Sequence, residues 1–292
     1  MMKKFLFSMI VLLLILAGSA QAKKSSFHLD ETYPINSDGT IFLYSEDADV
    51  LIAGSDRDDV HVVVDYAVHV SGIGIESRED DFEVIVTEEN GNLRIREMET
   101  NSSFSGILVN VETEYTITIQ APSTVSLQIV GDDDDYMISG FSGGVRLRME
   151  DGDARLRDMT GEDFEFELED GDIDLSGGSG YLDVSVEDGS FNCTNGSFTS
   201  ATGDTEDGEI RMETTLSNDG EYRFRAEDGA ISLMILGGGG EFSVYYEDGD
   251  VHASRDFKRE EEDDNYSRYT LPGGNAVVRF RVEDGDVRLR TK

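Results

Sequence analysis

Val145-Arg146-Leu147-Arg148-Met149-Glu150-Asp151-Gly152-Asp153-Ala154-Arg155-Leu156 is the stretch from which the fold can be read. Val145, Leu147 and Met149 alternate with charged residues, a period of two that puts the apolar side chains on one face of a strand. Ala154 and Leu156 resume the alternation, but the step from Met149 to Ala154 is odd, so the apolar phase flips across Asp151-Gly152. A bend at Asp-Gly, with Gly supplying positive φ and Asp capping backbone amides, returns both short strands to one interior.

Working outward, Glu-Asp-Gly recurs at 150–152, 169–171, 187–189, 206–208, 227–229, 247–249 and 283–285, at intervals of 19, 18, 19, 21, 20 and 36. The last interval is close to two periods and marks a diverged or interrupted unit. Asp132-Asp133-Asp134-Asp135 and Glu46-Asp47-Ala48-Asp49 are degenerate copies. A second bend in each unit is rich in Gly and small polar residues, as in 158–162, 176–180 and 237–240. Two strands and two bends per unit describe a coil that cannot bury its apolar face alone, so neighbours must cover it. The expected fold class is therefore all-β: a parallel β-solenoid of 18–21-residue coils with an N-terminal β capping region.

Stacking makes specific demands on the outward positions. Arg146 and Arg148 should face Glu165 and Glu167 one coil later, opposite charges that stabilise by about 0.2–1 kcal/mol per pair. Six Arg-x-Arg triplets (94–96, 146–148, 155–157, 223–225, 279–281, 288–290) read as outward strand charge balancing an acidic protein rather than as a basic ligand stripe. Residues 23–129 carry longer alternating strands without the strict repeat and read as the cap, residues 130–292 as the solenoid, and 256–264 as a solvated excursion between the last two coils.

Residues 1–22 are set aside as a secretory signal peptide: Lys3 and Lys4, an apolar run from Phe5 to Leu16, and small residues up to Ala22. The apolar run is too short for a bilayer core of about 30 Å, so the mature chain is expected to be exported, to a periplasmic, cell-surface or extracellular location, with no transmembrane helix. With 62 Asp and Glu against 24 Lys and Arg, the net charge of −38 disfavours nucleic acid and anionic membranes. One cysteine allows no internal disulfide.

Tyr115-Thr-Ile-Thr-Ile-Gln-Ala-Pro122, followed by coils that turn through Gly-Asp-Val/Ile, resembles the bacterial putative-adhesin family of unknown function. The resemblance covers residues 115–292 well and 40–114 loosely. It implies a β-helical surface or envelope scaffold without known catalysis. The family's Ser-Gly-Asp is replaced here by Glu-Asp-Gly-Asp at 150–153, 169–172, 247–250 and 283–286, which makes the turns far more acidic.

Candidate chemistry is sparse. Gly140-Phe-Ser-Gly-Gly144 matches a hydrolase nucleophile motif, but it falls on a repeated bend with His252 as the sole downstream histidine, and reads as a turn. Cys193 occupies an inward slot shared with Leu156 and Leu175 and reads as core. The four histidines lack metal spacing. Stacked acidic bends are what remains: like charges about 4.8 Å apart repel by roughly 0.9 kcal/mol in water, and Ca²⁺ held by Asp151, Asp153, Asp170, Asp172 and Asp188 would relieve that repulsion. The expected function is an exported, non-enzymatic, adhesin-like binding or structural module of the bacterial envelope, with an envelope or extracellular protein or glycan as its ligand. The alternatives are a carbohydrate-active enzyme on a β-helix scaffold, with sugar platforms at Tyr245, Tyr266 and Tyr269, or a calcium-stabilised surface scaffold.

Overall fold

The computed structural model describes residues 20–78, 82–98 and 103–292. Residues 1–19, the bulk of the expected export segment, lie outside the described residues, and Ala20 to Ala22 begin the first strand. In chain order the strands are β1 (Ala20–Pro34), β2 (Thr40–Ser45), β3 (Asp49–Ser55), β4 (Asp59–Arg78), β5 (Val84–Glu89), β6 (Asn92–Glu97) and β7 (Ser103–Pro122). Next come β8 (Ser126–Asp133), β9 (Asp135–Ser139), β10 (Val145–Asp151), β11 (Asp153–Met159), β12 (Asp163–Gly177), β13 (Ser179–Thr205), β14 (Glu209–Thr215), β15 (Glu221–Ala226) and β16 (Ala230–Gly237). Last are β17 (Gly240–Asp248), β18 (Val251–Ala253), β19 (Lys258–Asp263), β20 (Tyr266–Leu271), β21 (Ala276–Asp284) and β22 (Val287–Thr291). The architecture is all-β, with no helix among the described residues.

Alternation decides which side chains point inward. Val145, Leu147, Met149, Ala154 and Leu156 are buried while Arg146, Arg148 and Arg155 are exposed. Each inward residue meets its counterpart in a parallel neighbour: Leu127 lies opposite Val145, Val145 opposite Phe164, and Phe164 opposite Leu182. Past the bend, Ile138 lies opposite Leu156, Leu156 opposite Leu175, and Leu175 opposite Cys193. These registers put side chains of one kind in columns that fill a single core, where Phe164, Phe166, Phe191 and Phe198 touch ring to ring. The outward pairs form as expected: Arg146 Nε donates to Glu165 Oε2 at 2.8 Å, and Arg148 lies 3.6 Å from Glu167.

Both ends of the stack depart from chain order. β2 lies between β6 and β8, and β3 between β7 and β9. At the other end β21 lies between β15 and β17, and β22 between β16 and β18. The interval of 36 residues therefore separates spatial neighbours, and coils 221–237 and 240–253 do not touch along these ladders because the last coil stands between them.

Antiparallel strands close the stack. β5 pairs with β6, β4 with β7 and β1 with β4, while a Phe27, Tyr66, Phe82 and Tyr115 cluster covers the core beneath them. At the far end β20 runs antiparallel to β17 and β19 antiparallel to β20, with Phe257 edge-on to Phe242. The stretch expected to be a solvated excursion is thus largely strand β19. All six of its residues are exposed and charged, which blunts an open sheet edge against further pairing.

Candidate functional site

The acidic corner follows from the bends. Asp153 stands opposite Asp172, Asp172 opposite Ser190, and Asp170 opposite Asp188. Asp135 Oδ1 accepts the Asp153 backbone N–H at 3.0 Å, and Asp153 Oδ1 accepts that of Asp172 at 3.3 Å, so each carboxylate caps the coil that follows. Asp153 Oδ2 also receives Arg155 at 3.0 Å. Asp151 takes up a proton more readily than usual, through partial desolvation and then the neighbouring Asp133 and Asp170 carboxylates. Glu150 shifts the same way, first through Asp132 and then Glu169. Among the described residues, the group of three ligand-bearing side chains that converges within 4.8 Å is Asp250, His252 and Asp286, and it contains none of the five aspartates expected to hold Ca²⁺. Asp286 there already receives Arg288 at 2.6 Å.

Glycine at this corner has a steric reason that its φ preference alone did not reveal. A Cβ at Gly152 would lie 2.2 Å from the Asp134 carbonyl oxygen, and one at Gly171 would lie 2.0 Å from that of Gly152. The column continues through 189, 208, 229 and 285 to 249, each glycine approaching the carbonyl of its neighbour. Positive φ is not shared by all of them, so close approach of backbone to backbone is the common requirement.

Asp134 continues that column between Gly152 and Ala48, in the slot that the Glu-Asp-Gly coils fill with glycine, and its side chain is fully buried. Its carboxylate accepts the Ala48 N–H at 2.7 Å, the Asp132 N–H at 3.2 Å, Ser45 Oγ at 3.2 Å and Tyr136 Oη at 3.0 Å. Burial raises its proton affinity and these donors oppose the rise. Gly131 makes the room, since a Cβ there would fall 2.3 Å from Tyr136 Oη. Beside it Glu97 Oε2 accepts the Glu46 N–H at 3.2 Å, and burial pushes the Glu97 carboxyl up to about 7. Tyr44, Ser45, Glu46, Arg96, Glu97, Gly131, Asp132 and Glu150 border a cleft of about 240 Å³ over this cluster. The sequence reading passed over these groups, although an Asp in a glycine slot was their visible mark.

The remaining candidates resolve simply. Cys193 is 1% exposed and its thiol is pushed up to about 12 by burial, which leaves it inert. Gly140–Gly144 is a bend between β9 and β10. His28 and His61 pair across strands with Asp65 and Asp30, both at 2.7 Å. Of the three tyrosines proposed as sugar platforms, Tyr269 is buried, whereas Tyr245 is 52% exposed and its ring centroid lies 4.7 Å from that of Tyr266. Tyr245, Tyr246, Glu247, Asn265, Arg281 and Val282 line a cleft of about 640 Å³ beside that pair.

The profile of the family Toastrack DUF4097 matches residues 39–290. Among solved structures, the chain is similar to a putative cell adhesion protein from Clostridium sporogenes, at 13% identity over 93% of this chain and 100% of that one, with a TM-score of 0.27. A putative adhesin from Bacteroides fragilis shares 11% identity over 90% and 96% of the two chains, with a TM-score of 0.45. A putative lipid binding protein from Parabacteroides distasonis shares 12% over 94% and 98%, with a TM-score of 0.38. A search of the curated proteins gives no match.

Proposed function

The chain belongs to the Toastrack DUF4097 family, and on that premise we propose that it is an exported, non-enzymatic β-solenoid that serves the bacterial envelope as an adhesin-like binding or structural module. The observation that carries this reading is the run of like-on-like parallel registers, closed at both ends by antiparallel strands. Such a stack is a stiff frame whose outward positions form a regular array, a geometry suited to presenting a surface. Export is supported by Lys3, Lys4 and the apolar run to Leu16 ahead of Ala22.

The enzyme alternative has one place to stand, the cleft that brings Glu97 near Glu46, Asp132 and Glu150. A glycosidase requires two carboxylates flanking a bond, one kept protonated and one ionised. Glu97 instead binds the backbone of Glu46, and Asp134 beneath it has its oxygens occupied by four donors, which favours a role in holding the first turn. Fractionation of a bacterial host expressing the full chain tests the main reading, with the mature N-terminus expected at Lys23. Unprocessed chain confined to the cytoplasm would remove export, and reducing sugar released from a polysaccharide panel by the wild type but not by Glu97→Gln would remove the non-enzymatic assignment.

A further inference from the structure

In a chain with 62 acids and 24 bases, arginines are expected to stack on acids, and in the middle of the ladder three of them do. Arg146 faces Glu165, Arg148 faces Glu167, and Arg155 lies between Asp153 and Asp174. At the C-terminal end arginine instead meets arginine. Because β21 enters between β15 and β17, Arg223 is set opposite Arg279, and Arg225 opposite Arg281. Like charges in directly opposite positions destabilise a sheet. Arg223 is relieved by Glu221 at 2.5 Å, and Arg225 by Glu227 at 3.4 Å and Glu283 at 3.9 Å. Arg279 and Arg281 have no carboxylate within ion-pair distance among the described residues.

The next strand continues the pattern with a different chemistry. Ser243 stands opposite Arg279 and Tyr245 opposite Arg281. On β20, Tyr266 stands opposite Tyr245. One outward row therefore reads Arg225, Arg281, Tyr245, Tyr266, two guanidinium groups followed by two aromatic rings. Asn265 closes the cleft at the end of this row, its Nδ2 donating to the carbonyls of Tyr246 at 3.0 Å and Glu247 at 3.4 Å, which leaves Oδ1 to accept from a ligand.

We propose that this face binds a short acidic saccharide, its carboxylate held by Arg279 and Arg281 and a sugar ring lying against Tyr245 and Tyr266. Guanidinium groups grip carboxylates through paired N–H donors, and an exposed aromatic ring offers a broad contact to the C–H face of a pyranose. The cleft of about 640 Å³, which Arg281 and Tyr245 line while Arg279 on the same strand and Tyr266 in the same row stand outside its lining, falls within the range of small-ligand sites. A long polyanion is disfavoured by the field of a chain carrying −38, whereas one or two carboxylates are neutralised locally by the arginine pair. The proposal deepens the binding reading above and rests on it, but it is independent of export: failure of the secretion assay leaves it standing, and its own failure leaves a structural module.

Titration calorimetry of the purified protein with trigalacturonate, 3′-sialyllactose, maltotriose and inorganic phosphate tests it. At least one acidic trisaccharide should bind, with maltotriose and phosphate each at least tenfold weaker, and the affinity should fall as NaCl rises from 20 to 150 mM. The double variant Arg279→Gln plus Arg281→Gln, and separately Tyr245→Ala, should each weaken binding at least tenfold. The double variant should melt no lower than the wild type, because it removes two like-charge contacts. Absence of binding by both acidic trisaccharides, wild-type affinity in either variant, or a lowered melting temperature in the double variant would overturn the proposal. Phosphate binding as tightly as the trisaccharide would overturn it in favour of a bare anion site.

Discussion

At Gly171 the neighbouring carbonyl leaves no space for even one carbon, and φ is +115°. Gly171→Ala must therefore move two coils apart or strain its own backbone, and an unfolding titration should show a loss of about 2–4 kcal/mol. Glu97 offers a test of opposite sign. Its folded pKa of about 7 lies above the ordinary 4.5, owing to burial and then the Glu46 and Asp134 charges. Stability from this group is complete below about 4.5 and is lost as pH rises through about 7. Glu97→Gln, which keeps an acceptor for the Glu46 N–H, should be more stable than the wild type by about 1–2 kcal/mol at pH 8, after allowing for partial solvent screening. The two proteins should converge at pH 4.5, and parallel pH profiles would show that Glu97 titrates without strain. The sequence made the corner glycines visible as a repeat, but their reason lay in a neighbour many residues away. Asp134 carried a visible mark, an Asp in a glycine slot, but only contact between coils makes that slot an interior one.

A strand in this stack is specified by alternation, and that much was legible along the chain. Leu175 is 2% exposed and Asp174 faces solvent, as the phase flip across Asp170-Gly171 required. Leu175→Ala should cost about 2–5 kcal/mol as a core truncation, whereas Asp174→Ala should stay within about 0.5 kcal/mol. Equal shifts in the unfolding midpoint would contradict the assigned face. The Arg146 and Glu165 pair, exposed and placed in register by the same phase, should show a coupling below about 1 kcal/mol in a double-mutant cycle, shrinking further in salt. Partner choice was less legible than face. β15 and β17 carry the same inward pattern at the right spacing, so nothing local announces that β21 separates them. The reason is supplied by β19 and β20, whose antiparallel return along β17 takes up its outer edge and leaves the inner edge for the chain's last coil. The arginine pairing on that face was equally invisible, because it exists only in the spatial order.

Over the whole molecule the net charge is −38, part of it stacked at the bends, and screening should be felt globally. Melting temperature should rise between 10 and 150 mM NaCl as the Debye length shortens from about 30 to 8 Å. A calcium role for the columns predicts a further rise with 1 mM Ca²⁺ over 1 mM Mg²⁺ in 150 mM NaCl, lost in Asp170→Asn plus Asp188→Asn. Identical melts in Ca²⁺, Mg²⁺ and chelator would leave the acidic columns without a metal role, with Asp153 as the cap of the Asp172 amide. The placement of β21 and β22 between earlier strands also bears on how the molecule is made and how it yields. β17 and β18 precede β21 and β22 in the chain, so residues 240–253 gain the parallel edge they occupy only when that later coil is in place. That coil then works as a latch. Tension on Lys292 meets β22 gripped along both of its edges, so the chain must slide out by breaking two ladders together, a shearing failure that resists force better than strand-by-strand unzipping from a free edge.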